Sequence, residues 1–182
     1  MRPMIRTFLR RLRHDTRGVS AVEFAILAPT IIMIYFGLVE FAQGYMAQKR
    51  TTHVASMVAD LTAQNATLNT SQITNIFGIG DKIMRPFSDA DLSQRVTSLS
   101  RTGNTVKVVW SRATGDLTPL AKNSVYEVPS LDLIPNGEGL VVAESAFEYT
   151  SPVDFVLPQP VTFKHVSYLR PRNTDQVECS NC

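Results

Sequence analysis

The sequence predicts an α+β protein: a long N-terminal helix, membrane-spanning in its first half, then a second short helix and an antiparallel sheet of about four strands. Three observations carry this. An apolar run, Val19–Val39, passes without a break signal into residues at helical spacing that continue to about Ala63. A shorter helical pattern follows after the polar break "NATLNTSQ". Beyond Pro86 the period changes to two, in segments separated by turn residues, which is the mark of strands with one face buried.

At 182 residues, 44% of them hydrophobic, the chain has room for one modest domain beside a membrane segment. Its formal net charge of +2 conceals an asymmetry. Residues 1–18 hold Arg2, Arg6, Arg10, Arg11, Arg13 and Arg17 against the lone acid Asp15, so the remainder is net negative. The basic cluster abuts a hydrophobic span instead of lying on a folded face, so it reads as a topogenic signal and not as a nucleic-acid site. The positive-inside rule then places the leader in the cytoplasm and the rest of the chain across the membrane.

The first element is the span itself. Val19–Val39 is 21 residues long, and at about 1.5 Å per residue a helix of that length covers roughly 31 Å, the hydrocarbon thickness of a bilayer. A secretory signal peptide has a shorter core, about 7–15 residues, and a small-residue cleavage site that is missing here. Pro29 is tolerated in membrane helices, usually as a kink. Glu23 is costlier: an acidic residue at mid-membrane costs about 2.5–3.5 kcal/mol, less near an end where it reaches the interface or the leader's arginines. A second reading starts at Gly18. Were the chain cut there, the new amine on Val19 would lie four residues from Glu23, one helical turn away, where the carboxylate could neutralise it or the amine of a neighbouring helix.

The residues Gly18-Val-Ser-Ala-Val-Glu23-Phe24, after a basic leader and before a long apolar helix, resemble a class III prepilin signal. More narrowly, Ala21 to Phe24, Pro29 and Phe36 to Phe41 resemble the N-terminal region of TadE-like proteins, minor pseudopilins of the bacterial tight-adherence (Flp) pilus system. The resemblance is specific over about residues 16 to 60. It implies processing by a prepilin peptidase between Gly18 and Val19, with Glu23 and Phe24 completing the signal.

Beyond the span, Phe41, Tyr45, Thr52, Ala55, Val58 or Ala59, and Leu61 are expected to form the buried stripe of the helix extension. Ser71 is the expected N-cap of the second helix, which runs to about Arg85 with Ile73, Ile76, Phe77 and Ile83 inward. "SQRVTSLS", the turn "RTGN" and "TVKVVWSR" read as a hairpin with Trp110 in its core. A proline-bearing stretch, 114–139, ends in the turn "PNGEG". The strand "LVVAESAFEYT" then sets Val141, Ala143, Phe147 and Tyr149 against a solvated Glu144 and Glu148. "SPVDFVLPQP" breaks the chain before a last strand, "VTFKHVSYLRPR". Such a fold suits a pilin-like architecture.

One constellation invites a catalytic reading, the tail "CSNC". A redox dithiol belongs near a βαβ unit at a helix N-terminus, and a structural zinc site wants four ligands, whereas His14, His53 and His165 are scattered. A local disulfide between Cys179 and Cys182 in an oxidising compartment is the expected state. Gly78-Ile-Gly80 lacks the lysine of a phosphate loop. No catalytic residue, metal or cofactor is expected, and the chain is not read as an enzyme.

The domain plan is a basic cytoplasmic leader over 1–18, a transmembrane helix over 19–39, a periplasmic helix extension over 40–66 and a periplasmic α+β domain over 67–182. The resemblance implies a minor pseudopilin of the bacterial inner membrane, carried in or at the base of a pilus. Its implied partners are other minor pseudopilins, the major pilin, the assembly platform, a prepilin peptidase and membrane lipid, with no nucleic acid. The alternative is an unprocessed single-pass protein whose outer domain scaffolds or binds envelope components.

Overall fold

The computed structural model describes residues 18–152 and 159–182. The arginine-rich leader lies outside the described residues, as does most of the break before the last strand. Helix α1 runs from Val19 to Ala63, 45 residues in one piece, through Pro29. Then come β1 (Thr67–Leu68), α2 (Thr70–Met84), β2 (Leu92–Thr102), β3 (Thr105–Thr114), β4 (Gly139–Tyr149), β5 (Val161–Leu169) and β6 (Glu178–Cys179). The four long strands form an antiparallel sheet in the order β3-β2-β4-β5, the α+β arrangement expected from the sequence.

The second half of α1 lies on β4 and β5 and against α2. Its buried positions, Glu40, Gly44, Ala47, Thr51, Val54 and Val58, alternate by four and three residues, a seam that keeps one face on its partner. The expected stripe was wrong at its start. Phe41 and Tyr45 are 70% and 51% exposed. The small residues Gly44 and Ala47 take the inward positions because they let the helix approach the sheet closely, which large rings would prevent. Ser145 on β4 fixes the contact by donating to the Thr51 carbonyl at 2.7 Å.

Helix α2 starts two residues earlier than expected. Asn69, not Ser71, is the cap: its side chain accepts from the Gln72 amide at 2.9 Å, and the Gln72 side chain accepts from the Asn69 amide at 2.9 Å. This reciprocal box satisfies two of the orphan donors at the helix start. At the other end Arg50 of α1 donates to the Ile83 carbonyl at 2.6 Å, placing a cation at a helix C-terminus. Ile73, Ile76 and Phe77 face inward as expected, with Met84 fully buried and Ile83 only partly so. Gly80 is a close-approach site, since a Cβ there would overlap the side-chain amide of buried Gln94.

The hairpin turns at Gly103, whose φ of 61° suits glycine. Strand β2 is central and buried on both faces, with a bulge at Ser98/Leu99. One face packs Val96, Trp110, Val141, Ala143 and Phe147 against the helices. The other packs Leu99, Val106, Val108, Leu140 and Val142 beneath the proline-bearing stretch, which contributes Leu120, Tyr126, Val128 and Ile134. That stretch is therefore a cover for a second small core. It also takes the outer edge of β3, where the Val108 amide donates to Ser124 and the Tyr126 amide to Val106, both at 2.9 Å. Among the described residues no strand pairs with the outer edge of β5.

The chain after β5 returns along the far end of α1. The Arg172 amide donates to the Ala63 carbonyl at 2.9 Å, and the Arg172 guanidinium pairs with Asp60. β6 then pairs in parallel with β1, and Asn181 accepts from the Thr70 amide at 2.8 Å. Both Trp110 Nε1 and Ser98 Oγ donate to the buried Val177 carbonyl, at 2.8 and 2.9 Å.

Candidate membrane anchor and processing site

The first half of α1 meets nothing in the domain. No part of its most apolar 18-residue window is buried, and Phe24, Ile26, Ile31 and Leu38 are all more than 60% exposed. In water such a face would be strongly unfavourable, at about 25 cal/mol per Å² of apolar surface. An apolar solvent removes that cost, and a helix satisfies its own backbone there. The helix is long and apolar enough to cross a membrane, which fits an anchor.

Gly18 occupies the N-cap position without a side-chain cap, and a Cβ added to it would meet nothing within 4 Å. Glycine is thus not required there by packing. Glu23 and Phe24 are exposed on the first turns, and Val19 and Glu23 stand one turn apart on the same helix. The six leader arginines that could face Glu23 fall outside the described residues.

Burial on α1 starts at Glu40, which is only 1% exposed. It enters the domain next to the end of β4. Its neighbour there is Tyr149, whose hydroxyl is held above its ordinary pKa first by burial and then by the charge of Glu40, with a hydrogen bond to Ser151 acting in the opposite direction. A run of rings, Phe147 to Phe87 to Tyr149 to Phe163, with successive centroids 5.8–6.1 Å apart, surrounds that corner. The available signal was spacing: Glu40 falls seven residues before Ala47 and fourteen before Val54, on one seam.

Cys179 and Cys182 are joined in a disulfide with Cα atoms 5.6 Å apart, within the usual range. Cys179 belongs to β6 and not to a helix N-terminus, so the thioredoxin-like placement is absent. Glu144 corrects another expectation. Its carboxylate is not a solvated surface group but takes both arms of Arg95, at 3.0 and 2.7 Å, with the two side chains 17% and 16% exposed. Arg95 also donates to the Thr118 carbonyl at 2.9 Å, which ties the covering stretch to the sheet. The nearby Tyr126 phenol is pushed well up by burial, then by the negative charge of Glu144 and by Tyr168. Among the described residues no three His, Cys, Asp or Glu side chains gather where they could hold a metal ion.

Residues 18–60 match the family model for TadE-like proteins. No curated protein and no solved structure matches the chain. The matched segment begins at Gly18, contains the whole exposed apolar half of α1, and ends within the half that packs on the sheet. Together the family match and the apolar N-terminal helix fit a membrane protein associated with a Tad pilus.

Proposed function

We propose that the chain is a membrane-anchored minor pseudopilin that acts in assembly of a tight-adherence (Flp-type) pilus, as a structural subunit and not an enzyme. The observation that carries this reading is one continuous helix, covered by the TadE-like match up to residue 60, that is bare and apolar before Glu40 and packed on a folded domain after it. The apolar half stores the subunit in the inner membrane with the domain on the periplasmic side. Cleavage between Gly18 and Val19 by a prepilin peptidase frees an amine one turn from Glu23, and in a bundle of such helices each carboxylate can neutralise a buried amine. The domain then meets the major pilin, other minor pseudopilins and the assembly platform.

Gly18→Val tests this. Space around Gly18 is open, so the variant should fold and insert normally. It is expected to stay uncut and to leave cells without pili; normal piliation by an uncut Gly18→Val protein would favour an unprocessed single-pass scaffold.

A further inference from the structure

An apolar cleft of about 260 Å³ opens between α1 and the edge strand β5, lined by Phe41, Gly44, Tyr45, Gln48, Val161 and Phe163. We infer that this cleft is a phospholipid site, in which a lipid of the leaflet on the domain's side lays the top of one acyl chain against Phe41, Val161 and Phe163 and sets its phosphate at Lys49. The inference rests on the membrane-spanning reading of Val19–Val39.

Height along the helix argues for it. At about 1.5 Å of rise per residue, Phe41 lies roughly 3 Å beyond Val39, inside the zone of about 5–8 Å where headgroups flank the hydrocarbon, and Tyr45 roughly 9 Å beyond it, at that zone's outer edge. Aromatic side chains collect at that level because one end of the ring is apolar and the other wet. Phe41 and Tyr45 are among the most exposed large side chains of the packed half of α1, turned away from the core that Gly44 and Ala47 enter. Charge agrees with position: the Lys49 ammonium stands over the Tyr45 ring, 5.5 Å from its centroid, so the side chain leans back one turn toward the membrane and carries its cation to the level of Tyr45, on the headgroup side of the cleft. The start of β5 reaches this level because Val161 pairs with Tyr149, near the buried Glu40.

The full chain reconstituted in phosphatidylcholine vesicles containing phosphatidylglycerol tests the site, with benzoylphenylalanine placed at Phe163 or, outside the core, at the exposed Gln48. Flotation after alkaline carbonate washing first reports whether the chain is inserted, and a chain that fails to float overturns both the membrane-spanning reading and this site. For a floating chain, irradiation is expected to yield a phospholipid adduct by mass from both positions and none from Ile79 on α2. Lys49→Gln is expected to lower the phosphatidylglycerol adduct about fivefold, the effect of one charge at an anionic surface. Crosslinks to a second copy of the chain without lipid adduct, or lipid adducts of equal yield from Ile79, would overturn the site while leaving the anchor intact.

Discussion

The tail strap makes a quantitative prediction because two donors share one buried acceptor. Val177 is fully buried, and its carbonyl receives Trp110 Nε1 at 2.8 Å and Ser98 Oγ at 2.9 Å. Ser98→Ala removes one donor and leaves the carbonyl bonded, so it should cost about 1 kcal/mol. Trp110→Phe removes the other donor and part of a buried ring, for about 1–3 kcal/mol. In the double variant the carbonyl loses both side-chain donors, and leaving a buried group unsatisfied adds about 1–3 kcal/mol beyond a normal bond. The double loss should therefore exceed the sum of the single losses by about 1 kcal/mol or more. Urea unfolding of the full chain in detergent micelles, followed by circular dichroism, measures all three. Additivity within about 0.5 kcal/mol would refute the shared acceptor.

Three further outcomes follow from the same geometry. Arg95→Ala strands Glu144 in a mostly enclosed site and should destabilise the domain by about 2–4 kcal/mol, while Arg95→Met with Glu144→Met should recover much of that loss in the same unfolding assay. Tyr126 has a pKa raised above 10.0 in the folded chain, so its contribution is complete below about pH 10 and declines as the pH rises further; Tyr126→Phe should flatten that decline in unfolding measured across alkaline pH. Replacing both Cys179 and Cys182 by serine should cost about 1.5 kcal/mol from the short loop it opens and leave pilus assembly intact, whereas lost assembly in a folded, inserted variant would revive a redox role.

Elements whose signal is local were legible in the sequence. "RTGN" marks its turn because glycine is suited to the positive φ, and the alternation in β4 places Val141, Ala143 and Phe147 on the helix side as expected. The α1 seam was misread by one position because apolar bulk was taken as the guide, whereas a helix lying close to a sheet selects Gly44 and Ala47 and turns Phe41 outward. Glu144 was read as solvated because composition carries no record of the partner, Arg95, that β2 brings to it. The strap was invisible for another reason: it is held largely through backbone groups, such as the Val177 and Ala63 carbonyls, which every residue possesses. At the candidate processing site the pattern from Gly18 to Phe24 is contiguous, so it is read from the sequence without reference to the fold.

The central claim is that α1 begins life with a leader and ends it with a free Val19 amine one turn from Glu23. The intact mass of the chain extracted from membranes of cells with an active cognate prepilin peptidase measures this directly. A mass corresponding to residues 19–182 is expected. A mature protein that still begins at Met1 in those cells would contradict it.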